Sequence, residues 1–429
     1  MKTADKIRKT YIFSLLGIYP IYPGFHGYEN ISREKIIFLA VCSFALFAAL
    51  LISPDRKDFL KKAGSAEIAI FIFALTAVLS FLFSRLDRWK LIIGQNYDGL
   101  LMLLLFVLIF FLLSGGRYKK NEILGILFIS SLLLSLICIL QILGFNPLSL
   151  YPEGARLSGR GVDYSGVYLG TFGNQNLLSA YFSLLSPLFI WEILFSKDIK
   201  RLWLILPIVM FLYISISLRQ SAYLISFCLC LLLASILRIV GGRRAAYVAV
   251  GFFAALLLFF AFIYYIRPKN ETLFELHEIL NGRLSRNFGS KRLIIWAETL
   301  EFFKSSPLLG HGPASLPHLL TTRFERFVPE TGTLLVSYLN SAHNEFLSHL
   351  AQLGILGLSA YVFFIITVLK KESFGSNTGF ALSAAGYLIY SFFGNLGGTV
   401  TPLFYIIMAL ASAMAKEEDK IEHEEKQIA

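Results

Sequence analysis

Apolar residues occupy this chain in long runs, and polar residues gather into short clusters between them. A helix crossing a hydrocarbon core of ~30 Å needs ~20 mostly apolar residues, and such runs recur along nearly the whole length. Read in order they predict about twelve spans. The first six lie near Tyr11 to Ile21, Ile36 to Ile52, Ala66 to Phe83, Leu100 to Leu113, Ile123 to Leu143 and Asn176 to Phe195. The others lie near Leu202 to Leu218, Ala222 to Ile239, Ala245 to Ile266, Phe346 to Leu369, Phe380 to Phe393 and Leu403 to Ala415. The expected fold is all-α, a polytopic transmembrane bundle that takes up residues 1–429 as one domain.

One hydrophilic segment interrupts the pattern, Arg267 to Ser341, between the ninth and tenth spans. Inside it, Leu293, Ile294, Trp296, Ala297, Leu300 and Phe303 recur at helical spacing, so Ser290 to Ser305 is expected as an amphipathic helix in a loop of short helices. The last residues, 416–429, read as a solvated charged tail.

Composition agrees: 56% of residues are hydrophobic and 16% charged, with a mean hydropathy of +0.66, which excludes an ordinary soluble domain. The net charge of +11 does not point to nucleic acid, because the basic residues sit in short loops with no interleaved aromatic strip. It reads as topology. Loops on the N-terminal side hold Arg56, Lys57, Lys61, Lys62, Arg117, Lys119, Lys120, Lys197, Lys200, Arg201, Arg238, Arg243 and Arg244, and the opposite short loops hold far fewer. Both termini are therefore expected in the cytoplasm and the 267–341 loop outside it. The N-terminal segment imitates a signal peptide, but Pro20 and Pro23 end its apolar run without a cleavage site, so it is read as a short first span. Cys42, Cys138, Cys228 and Cys230 all lie in apolar runs, and Cys228 and Cys230 point to different helix faces, which argues against a disulfide or metal pair.

Ionisable residues near lipid are expensive and mark function. Arg219 is the only charged residue between Leu202 and Leu237, and the span lengths put it at the tight tip of a helical hairpin. It reads either as a snorkelling interfacial arginine or as an anion clamp that chelates phosphate at two points. His343 opens the tenth span in Ser341-Ala342-His343-Asn344-Glu345-Phe346, as a hydrogen-bonded structural group or a base for a sugar hydroxyl. Glu345 is the competing base, more simply a solvated carboxylate favoured by the helix dipole. Arg292 precedes Trp296 and the run Ser306-Pro307-Leu308-Leu309-Gly310-His311-Gly312, whose glycines permit a sharp turn. Gly170 to Asn176 opens the sixth span and reads equally as helix capping. All of these fall on one side of the membrane. No nucleotide or divalent-metal signature accompanies them.

His343-Asn344-Glu345-Phe346-Leu347 continuing to Gly354-Ile355-Leu356-Gly357 resembles the O-antigen ligase and polymerase signature. So do Arg292 with Trp296 ahead of Pro307 to Gly312, the Ser215 to Arg219 corner, and Gly170 to Tyr181. The resemblance implies a twelve-helix enzyme of the bacterial inner membrane that acts in lipopolysaccharide biosynthesis as a glycosyltransferase. It implies a metal-independent, cofactor-free, inverting transfer of glycan from undecaprenyl pyrophosphate to an acceptor hydroxyl, on lipid A core for a ligase or on a growing polysaccharide for a polymerase. His343 would be the base, and Arg219 and Arg292 would hold the pyrophosphate. Arg156, Arg160, Arg286, His311, Asn344 and Glu345 are lesser substrate-binding candidates. Protein-glycosylating relatives usually carry a further soluble domain after the last span, so protein is the less expected acceptor. A lipid-linked glycan flippase is the rival of another class, and it predicts charges deep in several spans, which are nearly absent here.

Overall fold

The computed structural model describes residues 3–25, 30–54, 64–95, 97–150, 170–196, 198–239, 257–258, 260–268, 271–283, 285, 288–328, 333–372, 378–394 and 397–428. Helix α1 (Thr3–Ile12) runs on through a π turn (Phe13–Ile18) and a 3₁₀ turn (Tyr19–Ile21). There follow α2 (Ile31–Ile52), α3 (Ser65–Phe83), the short α4 (Arg88–Ile93), α5 (Leu100–Ser114), α6 (Lys120–Ile142), α7 (Gln175–Phe195), α8 (Ile205–Ser217) and α9 (Ser221–Ile239). The long loop contributes α10 (Glu271–Leu280), α11 (Phe288–Ser305) and α12 (Leu316–Leu319), then strands β1 (Arg323–Val328) and β2 (Thr333–Tyr338). The chain closes with α13 (Glu345–Glu372), α14 (Thr378–Ser391) and α15 (Thr401–Ile428).

Six helical segments are long and apolar enough to cross a bilayer: Ile31–Ile52, Ser65–Phe83, Lys120–Ile142, Gln175–Phe195, Ile199–Ser217 and Glu345–Lys370. Leu100–Ser114, Ser221–Ile236 and Thr401–Lys416 are apolar but shorter. The ninth expected span lies largely outside the described residues. The fold is therefore a predominantly helical membrane bundle. The bundle is helical as expected, and the correction is confined to the loop, where β1 and β2 pair antiparallel instead of adding short helices, Arg323 opposite Tyr338 and Val328 opposite Thr333. The reason is local: Phe324, Phe327 and Val328 in one segment and Thr333, Val336 and Tyr338 in the other are aromatic or β-branched residues that favour strands.

One apolar core runs through the bundle, with α7 packed on α14, α3 on α13 and α5 on α15. A second, smaller core joins the long loop to the start of α13 through Ile295, Leu316, Leu320, Leu339, Ala342 and Ala351. The expected amphipathic helix is present as α11, with a different buried face. Ile295 and Thr299 are fully covered, whereas Leu293 and Leu300 are about 40% exposed.

Helix α13 is broken at Gly354, whose φ of 69° and ψ of −173° lie outside helical space. The Pro307 to Gly312 run fills the break. His311 N donates to the Ala351 carbonyl (3.1 Å), Gly312 N to Gln352 (2.8 Å) and Ile355 N to Pro307 (2.9 Å), so the backbone groups freed by the break find partners. A Cβ on Gly354 would lie 2.2 Å from the Leu308 oxygen, and one on Gly310 (φ 68°) 2.4 Å from the Gln352 backbone. Only glycine fits either place.

Candidate active site

The break in α13 sets its first nine residues beside α11. Arg292 and Trp296 are one turn apart on α11 and share a face. Trp296 Nε1 donates to the Ala342 carbonyl at 3.0 Å, which pins the residue before His343. His343 has φ 50°, a left-handed conformation that a side chain other than glycine adopts only where its surroundings impose it. Asn344 then caps α13, its Oδ1 accepting from Leu347 N at 3.0 Å. Asn344 is thus a buried helix cap.

Arg292 lies close enough for its charge to act on the imidazole. Burial, with that charge adding to it, lowers His343 to about 4, so the ring is neutral at neutral pH. Burial also lowers Arg292, against the opposing influence of Tyr390 and Glu275. Tyr390, near the end of α14, donates to the Asn176 carbonyl at 2.8 Å.

His343 lines a cavity of about 70 Å³ with Tyr97, Asp98, Glu345, His349, Gln352 and Thr401 among its walls. Glu345 is not the solvated carboxylate expected from its position. Its side chain is 10% exposed, because α13 is packed against α3, α14 and α15 at that level. A larger apolar groove of about 760 Å³ lies between α2 and α5, lined by Ile36, Ile37, Phe44, Leu101 and Leu105, with Arg33 and Gln95 also in its walls. Tyr97 lines both spaces.

Arg219 occupies the expected tight corner between α8 and α9, exposed and at φ 55°. Its neighbour Gln220 donates to Gln175 Oε1 at 2.8 Å, which ties the corner to the first residue of α7, next to Asn176 and hence to Tyr390. Arg219 is not among the residues lining the His343 cavity. Neither Arg219 nor Arg292 has a carboxylate within salt-bridge distance among the described residues. His311 is used structurally: its Nε2 lies 2.9 Å from the Phe302 carbonyl and 3.0 Å from the Ser305 hydroxyl. Arg156, Arg160 and Arg286 lie outside the described residues. The sequence reading missed Tyr97, Asp98, His349 and Gln352.

An apolar helical bundle with this polar chamber at one end defines an integral membrane protein. Residues 204–362, which hold Arg219, Arg292, His311 and His343, match the family model described as O-Antigen ligase. No curated protein matches the chain.

Proposed function

We propose that this chain transfers a glycan from undecaprenyl pyrophosphate to an acceptor hydroxyl on lipid A core, as an inverting O-antigen ligase. The observation that carries this reading is the apposition of Arg292 and His343, a cation beside a neutral imidazole. The shared wall at Tyr97 supports a lipid-linked substrate, with its polyprenyl tail along the apolar groove and its reacting end at the cavity. The six long and three shorter apolar helices support a polytopic bundle, which in this reading has about twelve spans; its basic loops put both termini in the cytoplasm and the site toward the periplasm.

In this mechanism the acceptor oxygen attacks the anomeric carbon on the face opposite the pyrophosphate. The C–O bond to phosphate breaks and its electron pair leaves with the pyrophosphate, whose charge Arg292 and Arg219 stabilise. The proton of the hydroxyl passes to His343, which must be neutral to receive it. The arginines supply the electrostatic stabilisation that a metal supplies in other phosphate-handling sites, so the reaction needs neither metal nor cofactor.

The test is transfer by the purified protein in lipid nanodiscs, supplied with lipid-linked donor and lipid A core. His343→Ala is expected to lower turnover ~10²- to 10⁴-fold. Wild-type protein that moves donor across the membrane and releases no undecaprenyl pyrophosphate would instead establish a transporter. A growing glycan accepted in preference to lipid A core would establish a polymerase.

A further inference from the structure

The proton taken by His343 has an unfavourable resting place. An imidazolium there would be buried and would face Arg292, so the ring does not hold the charge well. The rest of the cavity offers a destination.

Glu345 and His349 stand one turn apart at the start of α13, with Glu345 Oε1 and His349 Nε2 3.7 Å from each other. Both line the same cavity as His343. His349 is 8% exposed, held edge-on between Tyr361 (ring centroids 4.5 Å) and Phe73 (5.6 Å). Both of its ring nitrogens and Glu345 Oε2 lack a hydrogen-bond partner among the described residues. Buried polar atoms without partners are rare, and each demands an occupant that satisfies it. At about 70 Å³, with ~10–15 Å³ needed per water, the cavity holds on the order of five waters. Its polar walls supply the two to four partners that a water requires.

We propose that the Glu345–His349 pair is a proton store reached from His343 through water in this cavity. The proposal rests on the glycan-transfer reading. The acceptor O–H bond breaks and its proton goes to His343; His343 passes a proton along the waters, and the carboxylate and imidazole of the pair share it. The new C–O bond and the departing pyrophosphate complete the balance, and the stored proton returns to solvent before the next turnover. The pair acts through His343 and need not touch substrate.

The groups facing the pair are few. His343 and Asp98 share the cavity walls, and Tyr361 of α13, Tyr387 of α14 and Tyr405 of α15 lie close enough to feel the Glu345 charge. Among the described residues no lysine or arginine forms a salt bridge with either member. Hydroxyls of this kind stabilise a shared proton without competing for it at neutral pH.

The experiment uses full-length protein in nanodiscs and compares wild type with Glu345→Gln, Glu345→Asp and His349→Gln, measuring turnover against pH and against the concentration of an added small base. Glu345→Gln and His349→Gln should lose about 10- to 100-fold in turnover near pH 7 with donor binding intact. Rising pH or added base should restore much of that loss, whereas wild type and Glu345→Asp should not depend on buffer. A merely structural role for the pair predicts a loss that buffer does not restore, together with weakened donor binding, and that result overturns the relay. Glu345→Gln at wild-type turnover, or Glu345→Asp behaving like Glu345→Gln, overturns it as well. If wild type itself transfers no glycan the underlying reading fails, which is distinguishable from a normal wild type with an indifferent Glu345→Gln.

Discussion

The two ends of the bundle treat charge in opposite ways. At the end where α1, α6 and α15 expose Lys9, Lys120 and Lys416, carboxylates meet their partners. Glu122 takes Lys9 at 2.7 Å, Glu192 takes Lys120 at 2.9 Å with Arg201 at 3.8 Å, and Glu67 takes Lys416. These contacts link α1 to α6, α6 to α7 and α3 to α15, so the charges there serve as fastenings between helices. At the end where α7, α9, α13 and α15 begin, Arg292 and Arg219 have no carboxylate at that distance among the described residues, and His343 is half-buried beside one of them. Taking a cation partly out of water without a partner is unfavourable, so the half-buried Arg292 is held ready for an anion that arrives from outside the chain, while Arg219 waits exposed at its corner. The contrast with Lys35 is instructive. It is fully buried near the same end, but its ammonium donates to the Tyr19 carbonyl and sits 4.6 Å and 4.7 Å from the rings of Tyr19 and Phe172, so it is already satisfied and acts as a structural clasp.

The contrast separates the effects of substitution at the two ends. Arg292→Lys should reduce transfer by about 10²- to 10³-fold while leaving the melting temperature near wild type, because an ammonium cannot reproduce the planar two-point contact to pyrophosphate. Arg219→Lys should fall in the same direction. A lysine variant at near wild-type rate would reduce Arg219 to a snorkelling residue. At the opposite end, Glu192→Gln should do the reverse. It strands Lys120 and Arg201 against a neutral side chain, and a loss of about 2–3 kcal/mol in detergent-unfolding stability is expected with turnover per folded molecule unchanged. Transfer falling with no change in unfolding would erase the distinction between the two ends.

Gly354→Ala tests the scaffold between them. Its positive φ and the 2.2 Å approach to the Leu308 oxygen predict a loss of about 1–3 kcal/mol and displacement of His343, readable as lower stability and lower turnover together. An alanine there that behaves as wild type would mean that the break in α13 does not position the site.

The smallest effect is on pH dependence. The His343 imidazole, lowered to about 4, is neutral above that value, so the acid limb of transfer in the free enzyme should lie near pH 4 and well below the usual histidine range near 6.5. Because the neutral form is the one favoured in the fold, stability contributed here is present above the unfolded value and declines as pH falls from about 6.5 toward 4. Arg292→Gln removes the adjacent charge but not the burial, so the limb should move up by a fraction of the full difference. A limb that stays in place would show that the charge of Arg292 does not reach the ring.

Much of this was legible in the sequence, and the limits have physical causes. Arg219 announced its corner because α8 and α9 leave no length to spare, and Arg292 with Trp296 announced one helix face. The glycines of Pro307 to Gly312 promised a sharp turn, but the break at Gly354 that this run fills lies inside a segment expected as one continuous span, and their interlocking is a tertiary fact. The β-hairpin escaped because its two six-residue segments carry no clean alternation of polar and apolar residues and sit in a region being read for helices. His349 was invisible for a related reason: one imidazole within a long apolar run reads as part of a span, and only the packing of α3, α13, α14 and α15 turns it toward a cavity. Asp98 joins that cavity from a different helix connection, so nothing in its local sequence marks it. Orientation is a separate matter, and a reporter fused near Asn281 should be active only in its extracytoplasmic form.

The site is assigned two functions, arginines that hold pyrophosphate and a histidine that moves a proton, and donor binding measured beside turnover separates them. With labelled undecaprenyl-pyrophosphate glycan, His343→Ala should bind donor with near wild-type affinity and transfer almost none of it, whereas Arg292→Lys should bind it more weakly. A His343→Ala variant that ligates at normal rate, or that loses donor binding as severely as Arg292→Lys does, would contradict the assignment of the base.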